Sequence, residues 1–164
     1  MKIAKYLLLS FLLCAGIVAS SPDQGQPFSV TLQPPTGPVK AGSEVRVKVT
    51  TTNTSDHEIR FAKGFGQEEY DFEIEVRDEQ GKTPPLTESY RNLKEHPTSK
   101  WGSYSTYVLE PGKSLEDELA VTRLYILTRP GKYTVSVTRG RRPMYQTLGK
   151  GGVKSKSVTV TVIP

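Results

Sequence analysis

Hydrophobic and polar residues alternate along much of the chain. Four segments each place three apolar residues on one face: Val45, Val47 and Val49; Phe72, Ile74 and Val76; Tyr133, Val135 and Val137; Val158, Val160 and Val162. A period of two over β-branched residues is typical of strands with one face on a core and one in water. Shorter alternating runs predict four more strands, at residues 28–32, 57–61, 105–109 and 115–121.

Turn-forming sequences separate these segments, among them PPTGP, NTSD, DEQGK, EPGK and RPGK. The pattern contains no amphipathic helix of ordinary length. Residues 116–127 could be written as a helix, but Pro130 and Gly131 follow and favour a strand with a tight corner. Seven to nine short strands with turns between them predict an all-β fold, an immunoglobulin-like antiparallel β-sandwich, with a barrel as the alternative.

Tyr133 has the surroundings of a structural tyrosine corner. In many sandwiches, a tyrosine near the start of a late strand sends its hydroxyl back to the backbone of the preceding corner. Residues 127–131 form such a corner, and Gly131 supplies the backbone freedom that a sharp corner needs. We expect the nearby Tyr125 to have the less committed hydroxyl.

The N-terminal residues 1–20 read as a signal peptide. Lys2 and Lys5 precede an apolar run that ends in small residues at Ala19 and Ser20, the pattern of a secretory signal. The run is shorter than the roughly 20 residues of a membrane span, although an N-terminal anchor helix is the alternative. The sequence therefore predicts a secreted or periplasmic protein with one domain over residues 21–164 and no membrane span in the mature chain.

Cysteine content and charge limit how the mature chain can be stabilised and what it can bind. Cys14 is the single cysteine and lies in the predicted signal, so the mature chain can form no internal disulfide. About 140 residues are enough for one domain with its own core. The net charge of +5 includes Lys2 and Lys5, which leave with the signal. The modest excess of positive charge favours solubility and gives no indication of nucleic-acid binding.

Residues 107–137 resemble a known β-module. Leu109, the turn from Pro111 to Ser114, the pair Leu124–Tyr125 and the run Gly131 to Val135 follow one another as in the accessory β-domain of deuterolysin-type metallopeptidases. The hairpin at residues 72–86 is similar to the earlier half of that module. The resemblance covers about half of the mature chain and implies a β-sandwich. It does not imply peptidase activity, because the chain ends at Pro164 without the peptidase domain.

No catalytic or metal-binding motif is complete. The sequence His57–Glu58 begins like the zincin motif His–Glu–x–x–His, but Phe61 stands where the second histidine belongs. His96 is the only other histidine. There is also no nucleophile elbow, phosphate-binding loop or dinucleotide fingerprint. We therefore expect no catalytic residue, no metal and no cofactor.

The sequence Asn53–Thr54–Ser55 matches the acceptor pattern for N-glycosylation. It has that meaning only in a eukaryotic secretory pathway. An Asn–Thr–Ser turn is the simpler interpretation.

An aromatic segment is the first candidate binding surface. Residues 88–107 are long for a connection in a compact domain. They include Trp101 and Tyr104, with basic residues nearby. Exposed aromatic rings offer stacking surfaces to sugars or peptides. Alternatively, Trp101 and some tyrosines cover the edge of the sandwich as part of its core.

A basic segment is the second candidate. Residues 138–156 hold six cations and no acidic residue: Arg139, Arg141, Arg142, Lys150, Lys154 and Lys156. With Tyr145 near its centre, this segment could grip an anionic partner, such as a cell-wall polymer, a lipid headgroup or an acidic protein patch. A solvated loop is the alternative.

Together these features predict an exported, non-catalytic binding or accessory module whose ligand-binding residues are Arg141, Arg142, Tyr145, Trp101 and Tyr104. Its partner would be an unknown protein or an anionic component of the cell envelope. The alternative function is a regulator or inhibitor of a secreted peptidase, which the resemblance suggests.

Overall fold

A computed structural model describes residues 26–64, 71–96, 104–140 and 152–164. The strands in chain order are β1 (Phe28–Gln33), β2 (Val39–Lys40), β3 (Arg46–Asn53), β4 (Ile59–Gly64), β5 (Phe72–Arg77), β6 (Tyr104–Leu109), β7 (Ser114–Ala120), β8 (Gly131–Arg139), β9 (Val153–Lys154) and β10 (Val158–Ile163). One helix, α1 (Glu88–Glu95), and a 3₁₀ turn (Val121–Arg123) complete the described part.

The strands form an all-β, sandwich-like fold. One sheet has the order β1-β3-β7, and the other has the order β2-β10-β8-β5, with β9 also paired to β8. Strands β4 and β6 pair with each other as a third, two-stranded sheet. All pairs are antiparallel except β2 with β10, which is parallel. The predicted fold class is confirmed, and all eight predicted strands are present.

Alternation along the strands builds the core. The apolar face predicted for β3 is buried, as are the faces predicted for β5, β8 and the end of β10. Side chains from the two main sheets meet there, and Val49, Val76 and Val135 are fully buried. The opposite face of β3 carries Lys48, which pairs with Glu116 of β7 at 2.6 Å. Period-two patterning thus decides which side chains leave water.

The segment at residues 116–127 is a strand and a corner, as the sequence predicts. Strand β7 pairs along its length with β3 and then enters the 3₁₀ turn. Val121 and Leu124 are fully buried, so the corner is part of the core.

Helix α1 lies within the segment that the sequence presents as a long loop. Thr87 caps it by accepting a hydrogen bond from the backbone N–H of Tyr90 at 3.3 Å. Tyr90 is buried against Tyr125, with ring centroids 6.0 Å apart. Eight residues give an apolar stripe too few repeats to stand out as a helical period. In the described ranges, no helix is long and apolar enough to cross a membrane.

Tyr125 covers the outer edge of β5. Its hydroxyl donates a buried hydrogen bond of 2.7 Å to the carbonyl oxygen of Ile74. The expectation that this hydroxyl is the less committed of the two tyrosines is therefore wrong. Burial is the main reason that the pKa of Tyr125 rises to about 12. A covered carbonyl also makes the strand edge less open to pairing with another chain.

Candidate functional site

Most of the predicted ligand-binding residues lie outside the part of the chain that the structure describes. These residues are Trp101, Arg141, Arg142 and Tyr145. Tyr104 is the first residue of β6, where its backbone pairs with Gly64. The predicted signal peptide, residues 1–20, also lies outside the described ranges.

Four strand ends lie at one end of the sandwich. Strand β4 ends at Gly64, opposite the start of β6, and β5 begins at Phe72, opposite the end of β8 at Arg139. The guanidinium of Arg139 contacts the ring of Phe61 in β4, which brings the two strand pairs together. We call this the Arg139 end. The segments that contain Trp101 and Arg141 are covalently joined to β6 and β8 here.

Arg139 is buried rather than part of an exposed basic segment. It follows Tyr133, Val135 and Val137 on the inward face of β8, and its relative exposure is 0%. The sequence interpretation grouped it with five other cations in a segment that could grip an anionic partner, and for Arg139 this is wrong. The alternation of β8 continues to its last residue and carries the arginine into the core.

Polar groups from the opposite sheet receive the guanidinium. Arg139 Nη1 donates to Thr51 Oγ1 at 2.8 Å and to Asp117 Oδ2 at 3.2 Å. Its central carbon lies 4.1 Å from the ring centroid of Phe61 and 4.7 Å from that of Phe72. The two aromatic rings and the carboxylate replace the water that a charged group loses on burial. This cluster joins the two main sheets to β4.

The alternation pattern of the sequence contains an indication of this cluster, although a count of charges along the chain does not reveal it. Thr51 continues the inward row of Val47 and Val49 in β3, and Asp117 shares the inward face of β7 with Leu119. Each of three strands therefore has a polar residue at an inward position near the same end. Charge counting along the chain hides this, because it ignores the face on which each residue lies.

A second cation of the basic segment is also paired. Lys154 Nζ lies 2.8 Å from Glu75 Oε2 on the outer face of β5. The hydrogen bond from Lys154, followed by that from Arg77, lowers the pKa of Glu75. The exposed pair contributes little to stability, but it shows that an acidic residue from another strand balances part of this charge.

The side chain of Asn53 is committed to the fold. Its amide nitrogen donates to the carbonyl oxygens of His57 at 2.8 Å and Leu109 at 2.7 Å. Its amide oxygen accepts from the backbone N–H and the hydroxyl of Ser55. The residue is buried, so the folded protein presents no free amide at this sequon. The turn interpretation accounts for these contacts.

Tyr133 makes the hydrogen bond that defines a tyrosine corner. Its hydroxyl donates to the carbonyl oxygen of Arg129 at 2.8 Å, four residues earlier. Gly131 between them has φ of 150°, which side-chain-bearing residues rarely adopt. Burial, followed by the charge of Asp78, raises the pKa of Tyr133.

The zincin-like sequence is not arranged as a metal site. Strand β4 begins at Ile59, and Phe61 of this strand is buried in the core. His57 is exposed and lies 2.8 Å from the carboxylate of Asp56, and this contact lowers the pKa of Asp56. Within the described ranges, no three His, Cys, Asp or Glu side chains are grouped so that they could hold a metal ion.

Comparison with known proteins does not assign a family. No family model matches the chain, and no curated protein matches it. A solved β-glucosidase structure from Erythrobacter marinus matches with 14% identity and a TM-score of 0.40. The match covers 84% of this chain but 16% of that one. Likeness at this level carries no argument about function, and the resemblance to the deuterolysin accessory domain stays a prediction.

Proposed function

We propose that the protein is an exported, non-catalytic binding module that uses the Arg139 end of the sandwich. The observation that carries this proposal is the meeting of β4, β5, β6 and β8 at that end. Immunoglobulin-like sandwiches bind through segments that a rigid pair of sheets holds together at one end. Two such segments of this chain contain aromatic and cationic residues.

The chemistry of these segments favours an anionic partner from the cell envelope. Arg139 is buried and Lys154 is paired with Glu75, so neither supplies free positive charge. Among the four remaining cations of residues 138–156, we assign the two arginines, Arg141 and Arg142, to binding. Guanidinium groups form bidentate hydrogen bonds with phosphate and carboxylate, and Trp101 and Tyr145 add flat apolar surface.

A binding assay with two salt concentrations tests the proposal. The mature chain is immobilised, envelope extract is passed over it, and the retained anionic polymer and lipid are quantified. Retention should fall steeply between about 0.1 M and 1 M salt, because the Debye length shrinks from about 10 Å to about 3 Å. Arg141→Ala/Arg142→Ala should weaken retention at low salt and change the free energy of unfolding by less than about 0.5 kcal/mol.

A charge-matched variant at the opposite end provides the control. Lys82 and Lys132 are exposed and lie near the turn between residues 77 and 82 and the start of β8. Lys82→Ala/Lys132→Ala removes the same charge and should leave retention unchanged. Equal weakening by both double variants would mean that net charge alone drives binding. Unchanged retention by Arg141→Ala/Arg142→Ala would contradict the proposed binding residues.

A further inference from the structure

The pair β4–β6 forms a ribbon of its own. Its ladder runs from Ile59 opposite Leu109 to Gly64 opposite Tyr104. As far as the structure describes the chain, neither strand joins the ladder of a main sheet. An isolated two-stranded ribbon is marginally stable in water. Packing against the sandwich must therefore hold this one in place.

Among the described side chains of the ribbon, two groups of contacts attach it to the sandwich. Ile59 and Leu109 are buried in the common core, and Asn53 at the end of β3 donates one of its side-chain hydrogen bonds to the carbonyl oxygen of Leu109. These contacts lie where the ribbon joins β3 and β7. Further along, Phe61 is buried with its ring over the guanidinium of Arg139.

The sandwich itself holds the surface on which Phe61 rests. Arg139 is bonded to Thr51 of β3 and Asp117 of β7, and its guanidinium also lies near Phe72 of β5. None of these four residues belongs to the ribbon. If the ribbon moved away, the guanidinium would keep its carboxylate and one aromatic ring. The surface that the Phe61 ring contacts is therefore formed by residues outside the ribbon.

We propose that the β4–β6 ribbon opens as a separate unit while the two main sheets stay folded, and that the contact between Phe61 and Arg139 is its latch. Proteins open locally in cooperative segments that often coincide with supersecondary units such as a pair of strands. Opening would uncover one face of the Arg139 guanidinium at the same end of the sandwich. The inference concerns a movement of the fold and does not depend on the proposed ligand.

Native-state hydrogen exchange of the mature chain, followed by NMR at increasing low urea concentrations, tests this. Protected amides of the β4–β6 ladder should exchange faster than those of the β3–β7 and β8–β10 ladders, with a weaker urea dependence. Phe61→Leu keeps an apolar side chain but removes the ring. We expect it to speed exchange of the ribbon amides at least tenfold.

Arg139→Met tests the other half of the latch. In this variant Asp117 lacks its cation in both the closed and the ribbon-opened states. The cost of the unpaired carboxylate therefore largely cancels from the free-energy difference between these two states. Faster ribbon exchange is still expected, because the ring of Phe61 has lost the charge beneath it. If Arg139→Met does not fold, Phe61→Leu and the following control still decide the proposal.

The control variant is Val162→Ala in β10, which is buried and pairs with Gly131 far along the sheet from the ribbon. It destabilises the closed and the ribbon-opened states equally. Amides of the main sheets should therefore exchange faster while ribbon amides change less than twofold. Equal acceleration of ribbon and sheet amides would overturn the separate unit. If Phe61→Leu, or a folded Arg139→Met variant, leaves the exchange rates of the ribbon amides unchanged, the Phe61–Arg139 contact does not hold the ribbon closed.

Discussion

Two tyrosine hydroxyl groups stabilise the fold, one at a corner and one at a strand edge. Tyr133 holds the corner before β8 through the carbonyl of Arg129, and Tyr125 holds the edge of β5 through the carbonyl of Ile74. Sequence reasoning identified the first tyrosine because Gly131 marks its corner. It missed the second because the partner of Tyr125 lies 51 residues away in the chain. Local spacing gives no information about such a contact.

Replacing either tyrosine by phenylalanine should lower stability. Each change removes a hydroxyl and leaves a carbonyl oxygen short of one donor, which costs about 1–3 kcal/mol where the group is buried. Tyr125→Phe should cost at least as much as Tyr133→Phe, since the Tyr125 bond is the more buried. Urea midpoints at pH 7 measure both. An unchanged midpoint for Tyr133→Phe would show that its hydroxyl does not hold the corner.

The raised pKa of Tyr125 predicts a loss of stability in alkali. Its folded-state pKa is about 12, above the ordinary value of 10, so the folded protein retains this proton more strongly than the unfolded chain. The stabilisation is complete below pH 10 and is lost as pH rises from 10 through about 12. Urea midpoints should fall across this range, and less steeply in Tyr125→Phe. Absorbance at 295 nm should show one fewer late-titrating tyrosine in that variant.

At the scale of elements, period-two patterning accounts for what could be predicted. The eight long strands each carry enough alternating residues to be recognised. Strands β2 and β9 have two residues each, which is too few for any period. Helix α1 is held by its Thr87 cap and by the burial of Tyr90, and neither feature forms a repeating pattern. Arg139 was misplaced because its neighbours 141 and 142 made it look like part of a basic loop.

The pair between Arg139 and Asp117 connects strands β8 and β7 across the core. Removing either partner should cost about 3–5 kcal/mol, because the other charge stays buried without it. Replacing both, as Arg139→Met/Asp117→Leu, should bring stability back to within about 1–2 kcal/mol of the wild type or above it, since apolar groups need no compensation. The free energy of unfolding in urea measures all three variants.

The exposed pair of Lys48 and Glu116 lies on the same sheet as Asp117 but on its solvent face. The double variant Lys48→Met/Glu116→Gln should change stability by less than about 1 kcal/mol. If Arg139→Met alone or Asp117→Leu alone lowers the free energy of unfolding no more than this control does, the prediction that each buried charge needs the other is wrong.

At the scale of the whole molecule, the sequence predicts the class of fold but not the order of its strands. Alternation says which residues of β10 face inward, but it does not say that Val162 lies beside Val39 in a parallel pair. Strand order depends on contacts between distant residues, which no local pattern records. The same holds for the Arg139 end, where Thr51, Asp117 and Arg139 come from three separated strands.

Cleavage of the predicted signal peptide, residues 1–20, would remove the single cysteine of the chain, Cys14. We therefore expect the mature chain to fold without any disulfide bond. The purified exported protein should begin near Ser20 or Ser21 by N-terminal sequencing. Its thermal midpoint should be the same with and without reductant, and it should migrate identically on reducing and non-reducing gels. A chain that retains residues 1–20 after export would show that this segment is an anchor, and a midpoint lowered by reductant would show that Cys14 is retained and forms a stabilising disulfide between chains.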